Sequence, residues 1–120
     1  MQLYEIKKSK FYSKVFEINS KAQVSKIIED LKKQHKKASH ICSAFVFRDD
    51  QGFLNSGYSD DKEPKGSAGL PLWNLISKHN LSNVLIVSIR YFGGVKLGKG
   101  PLMRAYLNSG KIALEAYLNN

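Results

Sequence analysis

Residues Val84–Tyr91 read VLIVSIRY and run directly into FGGVKLGKG, residues Phe92–Gly100. The first segment is apolar on both of its alternating faces, the pattern of a strand buried in the middle of a sheet. The second holds four glycines in nine residues. Pro101 follows, and proline is tolerated in the first turn of a helix because the N–H it lacks would be unpaired there anyway. A buried strand, a glycine-rich loop and a helix therefore follow in succession.

Upstream, Phe11–Ile18 alternates as a strand, and Leu3–Ile6 is a candidate for an earlier one. Ser20 opens a helix, with Gln23 at capping-box spacing. Val24, Ile27, Ile28 and Leu31 fall at i, i+3, i+4 and i+7 and form one apolar stripe. Ile41–Arg48 is a strand on which Ile41, Phe45 and Phe47 face one way and His40, Cys42, Ala44 and Val46 the other. Asp49–Gly52 is a hairpin turn, and Phe53–Tyr58 returns as its second arm. A charged loop, Ser59–Gly66, leads to a helix that starts within Ser67–Pro71, turns Leu72, Leu75 and Ile76 inward and stops near Asn80. In the last helix Leu102, Ala105, Tyr106, Ser109, Ala113 and Ala116 face the sheet, opposite a polar stripe of Arg104, Asn108, Lys111 and Glu115. The order β-α-β-β-α-β-α predicts one α/β (α+β) domain over residues 1–120, a mixed sheet backed by helices.

Charge narrows the partners. Nineteen Lys and Arg stand against ten Asp and Glu, a formal net charge of +9. Such an excess favours RNA, DNA, nucleotides or an acidic protein face, unless it is solvated surface alone. Lys32, Lys33, Lys36 and Lys37 crowd the end of the first helix, where the helix dipole already accounts for them. Cys42 is the sole cysteine, so no internal disulfide can form and a reducing compartment is expected. Met1–Ser20 is polar and lysine-rich, without the apolar core of a signal peptide. The longest apolar run, Val84–Ile89, is too short to span a bilayer. A cytoplasmic location and no membrane partner are expected, and the oligomeric state is left open.

Two glycine-bearing loops, Ser59–Gly69 and Phe92–Pro101, each run into a helix N-terminus, which offers unpaired N–H groups to anions. Arg104 lies near the positive end of the last helix, where a bound anion or a nearby carboxylate would stabilise it. The expected anion or nucleic-acid site comprises Arg90, Gly93, Gly94, Lys96, Gly98, Lys99 and Arg104; the alternative is that the glycines only make turns and Arg104 pairs with Asp60, Asp61 or Glu63. Gly93, Gly98 and Lys99 have P-loop spacing, but Gly100 stands where Ser or Thr should hold magnesium and no Walker-B strand is visible, so nucleotide hydrolysis is not expected. Asp60, Asp61 and Glu63, with His40, are candidates for acid–base chemistry, or for solvated or ion-paired loop residues. His40 and Cys42 are too few for a zinc site. Tyr91 and Phe92 can stack on bases at the sheet edge or belong to the core. No metal and no cofactor is expected.

His40–Ala44, Ser59–Gly69 (SDDKEPKGSAG) and Arg90–Tyr106 (RYFGGVKLGKGPLMRAY) together resemble the signature of the YigZ/Impact family, over roughly Lys10 to Tyr117. The resemblance implies a fold like domain two of a small-subunit ribosomal protein, with a left-handed β-α-β crossover. It implies nucleic-acid binding or translation regulation, with RNA, a ribosome-associated partner or a protein as partner. A regulatory protein–protein interaction domain is one alternative. An enzyme acting on a phosphate-bearing small molecule at the glycine-rich loop is another. Bacterial relatives often add a ferredoxin-like C-terminal domain, which is not expected within these 120 residues. Three positions depart from the family pattern: Lys62 and Pro101 stand where Gly is usual, and Ser67 where Thr is.

Overall fold

The computed structural model describes residues 1–120. Five strands, β1 (Gln2–Ile6), β2 (Ser9–Glu17), β3 (His40–Arg48), β4 (Leu54–Ser59) and β5 (Val84–Tyr91), form one sheet of order β1-β2-β5-β3-β4. The doubly apolar segment Val84–Tyr91 is its central strand. Three helices, α1 (Lys21–Gln34), α2 (Gly69–Lys78) and α3 (Lys99–Leu118), pack on the sheet.

Every neighbouring pair of strands is antiparallel, which corrects the expectation of a mixed sheet. The reason is topological. β2 and β3 are parallel to each other, as are β4 and β5, but β5 is inserted between the first pair and β3 between the second. Parallel strands therefore never touch.

The core is split by the sheet. On one face Phe11, Val15, Cys42, Ala44, Val46 and Ile86 meet α2 and α3. On the other, Ile41, Phe47, Leu85, Val87 and Ile89 meet Val24 and Leu31 of α1. The crossovers β2-α1-β3 and β4-α2-β5 thus run over opposite faces. They also move in opposite directions across the sheet, and their strands point in opposite directions. Reversing all three senses reverses the hand, so one of the two crossovers is left-handed, against the general right-handed preference. A left-handed β-α-β unit is what the family resemblance implied.

Local signals act at the positions that carry them. The Ser20 side chain accepts the Gln23 N–H at 3.2 Å, while the Gln23 side chain reaches back one residue further than a capping box, to the Asn19 N–H at 2.6 Å. Asn80 ends α2 with a left-handed φ of +50°, and Gly52 turns the β3–β4 hairpin at φ +84°. α3 begins at Lys99, two residues before Pro101, which still lies in the first turn.

Candidate functional site

The charged loop after β4 folds inward. Asp60 accepts the backbone N–H groups of Gly66, Ala68 and Gly69 at 2.9, 3.1 and 2.8 Å. The N-terminus of α2 is therefore filled by a carboxylate of this same chain, a favourable use of its positive end. Gly69 allows the approach, since a Cβ there would lie 2.8 Å from the Ser59 backbone. Asp61 accepts the Ile41 N–H at 2.6 Å, and its carbonyl oxygen receives His40 Nδ1 at 2.8 Å. Asp61 and Lys62 both hold left-handed φ, +42° and +70°. That backbone accounts for the glycine usual at position 62. Lys62 itself makes no ion pair.

Glu63 is buried. Arg90 Nη1 donates to both its oxygens, at 3.1 and 2.9 Å; Tyr106 Oη donates to Oε2 at 2.5 Å; His40 Nε2 lies 3.4 Å from Oε1. Arg90 completes its coordination on Ser9 Oγ, at 3.3 and 3.4 Å. Arg90, expected from the sequence as a cation directed at the glycine loop, is turned into the core with its charge held by Glu63. The Cys42 thiol has the Asp60 carbonyl at 3.2 Å and Tyr106 Oη at 3.4 Å. Burial pushes both the thiol and the Tyr106 phenol above their ordinary values, and the nearby carboxylates add to it. A thiol held neutral is a poor nucleophile. No group of three His, Cys, Asp or Glu side chains is arranged to hold a metal ion.

The glycine-rich loop has the opposite character. Gly98 caps α3 without any side-chain hydrogen bond. Lys96, Lys99 and Arg104 are exposed and have no acidic partner. Arg104 pairs with none of Asp60, Asp61 and Glu63, because all three are engaged internally. The glycines divide by role. A Cβ on Gly93 would sit 1.9 Å from the Lys8 carbonyl oxygen, so Gly93 is required by the neighbouring hairpin, and its N–H meets Ser9 Oγ at 3.3 Å. Gly94 takes φ +92° in open space, and Gly98 and Gly100 have no close neighbour in the way.

That hairpin adds cations which sequence reasoning missed. Lys7 and Lys8 form the β1–β2 turn at φ +45° and +67°, where Asn-Gly would be the easy choice. The turn carries no Gly, Asn or Asp to announce it, and only the Ile6↔Ser9 pairing reveals it. Tyr91 is half-buried and hydrogen-bonded through its hydroxyl to His35 Nδ1 at 2.7 Å; Phe92 is 47% exposed. No helix is long and apolar enough to cross a membrane.

Residues 7–114 match the family model described as the Impact N-terminal domain. The chain is 39% identical over 101 residues to the IMPACT family member YvyE of Bacillus subtilis (strain 168), covering 84% of this chain and 46% of that one. A crystal structure of a hypothetical protein superposes with a TM-score of 0.88 at 32% identity, covering 95% of this chain and 55% of the other. The two-domain translational regulator Yih1 superposes at 0.65 with 24% identity, covering 98% of this chain and 44% of its own, a likeness of fold alone. The chain spans about half the length of the bacterial family members it matches over most of its own length.

Proposed function

This chain belongs to the IMPACT family, and on that premise we propose that it is an anion-binding module that contacts RNA or the translation apparatus. The observation that carries the reading is the fate of its charges. Ion pairs engage Lys26 and Arg90, leaving seventeen of the nineteen Lys and Arg (19 − 2) free of an acidic partner. The acids beside the loops, Asp60, Asp61 and Glu63, are saturated by backbone N–H groups, Arg90 and Tyr106. Lys96, Lys99 and Arg104 thus present uncompensated charge around a helix start that has no side-chain cap, with Gly94, Gly98 and Gly100 leaving the backbone accessible. Arg90 supports this edge from inside. The likeness of fold to a translational regulator directs the reading toward translation.

The same saturation argues against the enzyme alternative, because the carboxylates singled out for acid–base work have no free role. The test is fluorescence anisotropy with a labelled RNA hairpin across a salt series. Wild type should weaken steeply as salt rises. Lys96→Ala/Lys99→Ala/Arg104→Ala should lower the log–log salt slope by up to about 2.7, roughly 0.9 for each phosphate no longer neutralised. Equal affinity and equal slope in the two proteins would reject the edge as an RNA-binding surface. A pull-down that survives nuclease treatment would move the assignment to a protein partner.

A further inference from the structure

The sheet is not covered equally on its two faces at the β1–β2 end. Along β2, Ser9, Phe11, Ser13 and Val15 are all buried beneath the α2–α3 layer. The alternating residues on the α1 face are not: Lys10 and Lys14 are exposed, and Tyr12 and Phe16 only half-buried. Two adjoining grooves of about 520 and 530 Å³ lie on this face and share Tyr12 and His35. The first continues past Lys8, Lys10 and Tyr91 to Phe92, and the second past Lys14 and Phe16 to the side of α1.

Aromatic rings follow this path. Tyr12 meets Tyr91 edge-on with centroids 5.8 Å apart, and His35 lies 6.0 Å from Tyr91. Phe92, half-exposed, lines the same groove beyond Tyr91. Its N–H donates to Ser39 Oγ at 3.0 Å, and the buried Arg90 guanidinium backs its ring at 5.4 Å. A half-exposed ring at the mouth of a groove can serve as a platform for another π system. The charge at the grooves is one-sided. Lys8, Lys10 and Lys14 have no ion-pair partner, and Asp30, the one acid lining either groove, is held by Lys26 at 3.1 Å. Glu5 stands opposite Lys10 across the β1–β2 ladder, on the exposed flank and outside both linings.

We propose that this face, from Phe92 across Tyr91 and Tyr12, is a stacking site for unpaired bases of a single-stranded nucleic acid whose phosphates meet Lys8, Lys10 and Lys14. The inference rests on the anion-binding reading above and narrows it. In a duplex the base faces are already stacked on one another, so only a single strand can offer them to these rings. Stacking is tolerant of sequence, because every base has a π face. Lysines beside the rings supply the backbone contacts and a salt dependence.

The experiment measures binding of a labelled single-stranded RNA and of the corresponding duplex at several salt concentrations. Wild type should prefer the single strand. Phe92→Ala should weaken single-strand binding about five- to hundred-fold with little change in salt slope, because a ring carries no charge. Phe92→Tyr should restore it, and thermal melts check that each variant is folded. Lys10→Ala/Lys14→Ala should instead lower the single-strand slope by about 1.4, roughly 0.7 per phosphate. If Phe92→Ala binds like wild type while the Lys96/Lys99/Arg104 triple variant weakens both ligands, the stacking site is overturned and the anion-binding reading stands. If wild type binds neither ligand even at low salt, both are overturned.

Discussion

Replacing Glu63 with Gln removes a charge and almost no volume, so it isolates the electrostatics of the buried cluster. Arg90 Nη1 is shared by both carboxylate oxygens, at 3.1 and 2.9 Å. Whichever way an amide turned, its NH2 would face the guanidinium, donor against donor. The guanidinium cannot lose its proton. At 5% exposure Arg90 would remain charged in the core, with only neutral acceptors left to it, the amide oxygen and Ser9 Oγ. Removing one member of a buried pair costs about 3–5 kcal/mol. With an unfolding entropy of roughly 2.1 cal/mol/K per residue, 120 residues give about 0.25 kcal/mol/K, so Tm should fall by about 12–20 °C. Urea melts give the same quantity as a shift in midpoint at constant m. Adding Arg90→Met to Glu63→Gln should recover part of the loss, since the orphaned charge is then gone. A Glu63→Gln protein within about 1 kcal/mol of wild type, with m unchanged, would refute the reasoning.

Two further predictions concern Cys42 and Gly93. The folded protein holds the Cys42 proton more tightly than the unfolded chain does, so above the ordinary thiol value near 8.5 unfolding releases a proton and stability falls with rising pH, by at most about 1.4 kcal/mol per unit. Tyr106 adds a loss of the same sign above about pH 10. Urea midpoints between pH 7 and 10 should show the decline in wild type and a flatter profile in Cys42→Ala; a flat wild-type profile would contradict the buried neutral thiol. Gly93→Ala places a methyl 1.9 Å from the Lys8 carbonyl and should destabilise by about 1–3 kcal/mol, whereas Gly100→Ala, in open space within α3, should be neutral or stabilising by up to about 1 kcal/mol. Equal melting temperatures for the two variants would show that the loop does not press on the hairpin.

Much of this architecture is legible along the chain. The two-sided apolar run at Val84–Tyr91 marks the central strand, Ser20 marks the start of α1, and Asn80 marks the end of α2. The Lys7–Lys8 turn is not legible, because lysine is a poor residue for left-handed backbone and no turn chemistry announces it. The site is legible only in part. Asp60, Asp61 and Glu63 stand out as one acidic cluster, yet the fold gives them three separate tasks: capping α2, holding the start of β3, and neutralising Arg90. Tyr12 is, in the sequence, only one residue of an alternating strand, and its place beside Tyr91 depends on β2 pairing with β5.

The sequence by itself determined where most of the elements lie, which faces they bury, and that the chain carries more positive charge than its own acids can neutralise. These properties come from periodicity, caps and composition, which act within a few residues. Tertiary structure alone decided that β5 separates β2 from β3, that the sheet is antiparallel throughout, and that Arg90 turns inward to Glu63, twenty-seven residues away along the chain. Strand order and ion pairing are choices among long-range arrangements with similar local energies. Simultaneous burial of both sheet faces separates those arrangements, and no local signal can express it.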